Sequence, residues 1–203
     1  MHFTNRLTPV VLLLLLTACA SAPENASNVC SMFEDRHSWF RAAKKAEERW
    51  GVPMEVNMAF VYQESSFIQR ARPPRRYLFG FIPWFRPSNA FGYAQALDST
   101  WDEYKTDAGG WTARRTSFAD AIDFIGWYND NSNRISGIDK RDAYNLYLAY
   151  HEGNGGWQRR SYAGNEQLLR VASNVQANAD RYQTQLQGCR RELDRPWILR
   201  VLF

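Results

Sequence analysis

A chain of 203 residues, 45% of them hydrophobic, suits one ordinary globular domain with short appendages and excludes a disordered or low-complexity polypeptide. The net charge of +4, from 25 Lys plus Arg against 21 Asp plus Glu, is too mild for a dedicated nucleic-acid binder. Eight Trp, ten Tyr and twelve Phe point either to a groove on which sugars or proteins stack or to a core built from large rings.

The first residues read as a leader. Arg6 supplies a positive start, Val10 to Leu16 a short apolar run, and Leu16-Thr17-Ala18-Cys19 a close. The run falls short of the roughly 20 apolar residues needed to span a bilayer. A small residue before cysteine after such a run resembles the bacterial lipobox, which implies cleavage after Ala18 and acylation of Cys19. The alternative is an ordinary secretory signal that contains a cysteine. Ala20 after the cysteine, where Asp is absent, points to the outer membrane, with the acyl chains buried in its bilayer. Residues 1–18 are the expected signal peptide and 19–27 a lipidated, polar tether. Losing Arg6 with the leader removes one of the 25 basic residues and no acid, so the mature charge is about +3. Cys30 and Cys189 then remain, and in an oxidising compartment they read as one disulfide tying the domain's ends together, or as a free thiol pair.

Beyond the tether, Ser27 or Asn28 is placed to cap a helix running to about Trp50, with Phe33, Phe40, Ala43, Ala46 and Trp50 near helical spacing. Gly51 ends it, and Pro53 opens a second helix from Met54 to about Ser66. Residues 69–89 mix five arginines with four prolines and several aromatics, which predicts a long loop or short hairpin. Asp98 or Ser99 is expected to cap a short helix with Trp101 and Tyr104, and another helix follows from about Phe118 to Asn131. Asp139-Lys140-Arg141-Asp142 resembles a capping box before a helix ending at Tyr150. Gly153-Asn154-Gly155-Gly156 reads as a loop. A last helix runs from about Tyr162 to Gln187 and stops at Gly188. The apolar tail Pro196–Phe203 reads as a docked strand. About six helices in one all-α domain are expected.

Three segments carry chemistry. Glu64-Ser65-Ser66-Phe67 closes the apolar second helix, Gly92-Tyr93-Ala94-Gln95 sits on a turn, and Ala149-Tyr150-His151-Glu152-Gly153 runs from helix into glycine loop. Cleaving a glycosidic bond needs a carboxyl that stays protonated near neutral pH. Burial and the negative end of a helix both raise a carboxyl pKa, and Glu64 is placed to experience both. In order and type, the segments resemble the motifs of soluble lytic transglycosylases with the lysozyme-like fold: Glu-Ser-x-Phe, Gly-Leu-Met-Gln, and Ala-Tyr-Asn before a glycine loop. The resemblance covers about residues 40–187, and Tyr182 matches more weakly the family's tyrosine in its final helix.

That resemblance implies a mainly α, lysozyme-like domain over residues 28–190, with 191–203 a C-terminal tail. It implies cleavage of the β-1,4 bond between N-acetylmuramic acid and N-acetylglucosamine in peptidoglycan, without metal or cofactor. Glu64 would protonate the leaving oxygen, the substrate's acetamido group would stabilise the developing cation, and Glu64 would take the proton of the muramoyl 6-hydroxyl as a 1,6-anhydro ring closes. Ser65, Gln95, Tyr150, His151 and Tyr182 are the implied substrate-binding residues, with the Tyr150 phenol near the Glu64 carboxyl.

The departures are Tyr93 and Ala94 in place of the apolar pair, and His151 in place of Asn. His151 either offers a pH-sensitive donor or packs without a polar role. Glu152, or less readily Asp98, is either a solvated acid or a base that activates water in an inverting hydrolase. The Arg/aromatic segment 69–89 is a roof over the cleft, a site for stem-peptide carboxylates, a membrane contact, or a packed loop. A hydrolytic muramidase and an inactive peptidoglycan-binding or adaptor lipoprotein are the rival functions.

Overall fold

A computed structural model describes residues 22–75, 77–78, 82–83 and 88–195. The leader, Cys19 and the tail Pro196–Phe203 lie outside these residues. The described chain forms seven helices: α1 Val29–Asp35, α2 His37–Trp50, α3 Met54–Ser65, α4 Asp98–Tyr104, α5 Phe118–Ser136, α6 Ala143–Gln158 and α7 Glu166–Leu193. A π-helical turn, Lys105–Gly109, follows α4. The all-α, lysozyme-like fold class expected from the sequence is what the chain adopts. Among the described residues no helix is long and apolar enough to cross a membrane.

Helix α3 is the centre. Met54, Val56, Met58, Ala59, Phe60 and Val61 are all buried, so apolar side chains surround it instead of forming one stripe. It packs against α2, α5 and α7, while α6 lies between α5 and α7. Most of the described aromatic side chains fill this interior, with Trp111, 89% exposed, the marked exception among them. The ring-rich core is therefore the main answer to the aromatic excess.

Several local expectations yield to tertiary contacts. The first helix is broken at Arg36 (φ −130°, ψ 66°), although no glycine or proline stands there. The break lets Phe33 and Phe40 meet edge to face at 5.4 Å across it. Asn28 caps α1 by accepting from the Ser31 amide. Asp98 is no cap: Leu97 occupies the cap position, and the Asp98 carboxylate pairs with Arg115. Helix α5 continues to Ser136 and stops at Gly137, whose φ of 70° ends it. Asp142 alone caps α6, accepting from the Asn145 amide, while Asp139 accepts from the Arg141 amide in a preceding turn. The glycine run after Tyr150 is a bend at Gly153, beyond which helix resumes to Gln158.

Helix α7 begins later than expected, capped by Asn165, and passes straight through Gly188 to Leu193, beyond the expected domain end at residue 190. Its last turns are held from outside. Arg190 binds the Glu47 carboxylate, Leu193 is buried, and its carbonyl accepts from His37. The Cys30–Cys189 disulfide forms, joining α1 to α7. Two short strands, Tyr77–Leu78 and Ile82–Pro83 (β1 and β2), pair antiparallel within the Arg/aromatic segment, which makes part of it a hairpin.

The disulfide closes a loop of 159 residues in sequence separation, so it restricts the unfolded chain strongly. Replacing both cysteines by serine is expected to lower stability by about 2–5 kcal/mol, read as a drop in the thermal midpoint. An unchanged midpoint would show that the bond does not carry this load.

Candidate active site

Glu64 sits in the last turn of α3, where the chain must stop being helical and leave. It does so through Ser66 (φ 48°) and Phe67 (φ 61°), both left-handed without being glycine. Such backbone costs free energy unless surroundings enforce it. Here the enforcement is aromatic. Phe67 is fully buried against Trp39 (5.6 Å) and Tyr62, and Trp39 stacks on Phe118 at 4.1 Å.

The turn carrying the second motif is fastened to the same cluster. Tyr93 meets Trp39 and Phe118 edge to face at 5.8 and 5.6 Å, and Ala94 is buried beside it. Those two departures from the usual motif are thus core substitutions that stay out of the cleft. Gly92 is required by its geometry. Its φ is 80°, and a Cβ there would lie 2.1 Å from the Arg115 carbonyl oxygen.

Between these segments lies a cleft with two lobes. The larger, about 640 Å³, is lined by Glu64, Ser65, Gln95, Tyr150, His151 and Arg72 among others. The smaller, about 290 Å³, shares Gln95, Leu97, Tyr150 and His151 with it and continues past Thr100 to Glu152 and Gly153. Their size is that of a small-molecule or oligosaccharide site. Of the Arg/aromatic segment, Arg72, Pro73 and Pro74 form one wall, with Arg72 held over the Phe91 ring at 4.3 Å. The side chains of its residues 76–87 lie outside the described residues.

Burial dominates the chemistry of Glu64. The carboxyl opens onto the cleft but is packed closely by α3 and α6, and desolvation pushes its pKa from the ordinary 4.5 up to about 7. The neighbouring Tyr147 phenol partly opposes that rise. Tyr150 lines the cleft together with Glu64, and its hydroxyl donates to the Ala94 carbonyl at 2.6 Å, tying α6 to the second motif. Tyr150 stands against Phe60 and Tyr128 and still feels the Glu64 charge, which with burial holds its own pKa well above the usual value. Tyr147 precedes it by three residues, on the same helical stripe, and is buried. That spacing was the available signal for it.

The other expected residues divide. Ser65 lines the cleft, but its hydroxyl donates back to the Val61 carbonyl at 3.1 Å. Gln95, itself at φ 46°, donates its amide nitrogen to the Ala71 and Gly92 carbonyls at 2.9 and 2.8 Å. Those bonds orient the amide and leave its carbonyl oxygen as the group it can offer a ligand. Tyr182 does not belong to the cleft. It is fully buried on α7 and donates to the Ala26 carbonyl, anchoring the segment before α1.

His151 is exposed where the two lobes meet. Glu152 is not a free acid at a helix end, because Ser161 donates to it at 2.6 Å and His151 lies 3.1 Å away. These contacts hold its pKa below the ordinary carboxyl range. Asp98, paired with Arg115, lines neither lobe.

Residues 7–189 match the profile of a family described as "Transglycosylase SLT domain". The match covers most of the chain, which therefore belongs to that family and has a transglycosylase-type function, with peptidoglycan the substrate that membership implies. Comparison with curated proteins returned no match.

Because the folded Glu64 titrates above its unfolded value, its contribution to stability is full below about pH 4.5 and is lost as pH rises through about 7. The shift corresponds to about 3 kcal/mol. Glu64→Gln is therefore expected to be the more stable protein at pH 8, by up to that amount, and to match the wild type at pH 4. Urea unfolding at the two pH values checks this; equal stability at pH 8 would mean that Glu64 is solvated. Tyr147→Phe is expected to move the Glu64 carboxyl titration upward, as read by carbon NMR.

Proposed function

We propose that this SLT-domain protein is a peptidoglycan lytic transglycosylase in which Glu64 acts first as acid and then as base. The observation that carries the reading is a cleft-facing carboxyl held by burial with a pKa of about 7. Half of such a group is protonated at neutral pH, so it can deliver a proton to the glycosidic oxygen and then recover one. The substrate's acetamido oxygen stabilises the cation formed at the muramoyl C1. The muramoyl 6-hydroxyl then attacks that carbon, Glu64 takes its proton, and a 1,6-anhydro end results. Tyr147 favours the Glu64 carboxylate formed between the two steps, and Tyr150 lines the cleft beside it.

The cyclising outcome is supported over hydrolysis by the state of the second carboxylate. An inverting hydrolase needs a base free to activate water, whereas both Glu152 oxygens have partners. The domain, from about residue 28 through the end of α7, would work at the periplasmic face of the outer membrane, anchored through acylated Cys19 by a tether over 19–27. A cysteine that ends the apolar leader and a disulfide suited to an oxidising compartment support this placement.

Digestion of purified sacculi followed by mass spectrometry tests the reaction. Products one water lighter than reducing-end fragments are expected from the wild type. Glu64→Gln is expected to lose strand cleavage by at least about a thousandfold while still binding sacculi. Reducing ends alone would replace the lyase by a hydrolase, and turnover unchanged in Glu64→Gln would remove Glu64 from the mechanism. The alkaline limb of wild-type activity should fall near pH 7, where Glu64 loses its proton.

A further inference from the structure

The bend in α6 builds a small polar device beside the cleft. Gly153 takes φ 74° and ψ 157°, outside helical values, and the chain beyond it turns back so that Ser161 lies over Glu152. The Ser161 amide donates to the Gly156 carbonyl at 3.0 Å, which fixes this return. Gly156 must lack a side chain: a Cβ there would stand 2.9 Å from the Glu152 Cβ and 3.0 Å from the Ser161 Oγ. Ser161 Oγ donates to Glu152 Oε2 at 2.6 Å, and Glu152 Oε1 lies 3.1 Å from His151 Nδ1.

An ionised carboxylate can only accept hydrogen bonds, so it assigns the His151 proton. With Glu152 as acceptor, Nδ1 carries the hydrogen. In a neutral imidazole the other nitrogen, Nε2, is then a lone-pair acceptor. The ring borders both lobes of the cleft, on the Glu64 side and on the Gly153 side. With Nδ1 turned to Glu152, Nε2 is the ring's remaining hydrogen-bonding group.

We propose that Glu152, clamped by Ser161, is a positioning residue that locks His151 in the Nδ1–H tautomer, so that Nε2 accepts a hydrogen bond from a hydroxyl or acetamido N–H of the bound glycan. The ligand half of this proposal rests on the glycan-cleaving reading. An asparagine at position 151 could turn either a donor or an acceptor to the ligand; the locked histidine, as the neutral imidazole, offers an acceptor only. The site is thereby selective for a donor group where its two lobes meet.

Long-range nitrogen–proton correlation spectra of the full chain, recorded above the imidazole titration range, read the tautomer without substrate. His37 provides the contrast, because its Nε2 faces the Leu193 carbonyl and its Nδ1 faces Arg41. The spectra are expected to show His37 as Nε2–H and His151, assigned by its loss in His151→Asn, as Nδ1–H. Glu152→Ala should return His151 toward Nε2–H. An Nε2–H pattern for His151 in the wild type would overturn the proposal with no variant needed. In cleavage assays on defined glycan oligomers, Glu152→Ala should raise KM about tenfold, the loss of one hydrogen bond, with kcat little changed. The same substitution made in His151→Asn should change nothing further. A fall in kcat of equal size in both backgrounds would mean that Glu152 acts directly and not through His151. Should the wild type cleave no glycan, the functional reading fails while the spectra still decide the clamp.

Discussion

A carboxyl that stays protonated near neutral pH has to be kept from water, yet one that faces a cleft has to be open to it. These demands conflict, because a cleft admits water and burial penalises the charged form of the group. Glu64 meets both from the end of α3. The helix is surrounded by apolar packing, so the carboxyl is backed by core on one side and opens only at the last turn. That last turn is also where the helix's partial negative charge lies, which acts in the same direction as burial.

Placing a core helix so that it ends at a surface cleft leaves a difficult exit for the chain. Ser66 and Phe67 make that exit in left-handed backbone, and Gln95 does the same on the opposing turn. The aromatic cluster of Trp39, Phe67, Tyr93 and Phe118 holds both segments. One packed unit from α2, α5 and the two motif turns thus fixes the cleft's width. The Tyr150–Ala94 and Gln95–Ala71 hydrogen bonds fasten the third motif and the Arg72 wall to it. Several motif residues prove to be fasteners: Phe67, Gly92 and Tyr150 hold segments together, while Glu64 opens onto the cleft with a raised pKa.

The same distinction explains where sequence reading misplaced residues. Tyr150 and Tyr147 share a stripe of α6, and only the way α6 packs turns the Tyr150 hydroxyl to the Ala94 carbonyl. Tyr182 sits on the buried face of α7, and the chain segment that accepts its hydrogen bond, at Ala26, lies 156 residues away. The helix break at Arg36 and the continuation of α7 through Gly188 have one cause. Side-chain packing between helices, Phe33 with Phe40 and Glu47 with Arg190, outweighs weak local preferences. The residue that holds Glu152, Ser161, lies beyond a bend in what reads as a glycine loop.

The sequence by itself determined the all-α class, singled out Glu64 as a candidate, and left Cys30 and Cys189 as a pair free to bond. Apolar periodicity, a glutamate among ordered motifs, and two cysteines left over once the leader is set aside are all local or countable features. It did not determine hydrogen-bond partners within the site. Those depend on how α6 lies over α3, how sharply Gly153 bends, and which carbonyl a buried phenol meets, and the tertiary structure alone decided them. A polar group taken out of water bonds with whatever packing brings within about 3 Å, and distances between segments far apart in the chain are set by the whole core.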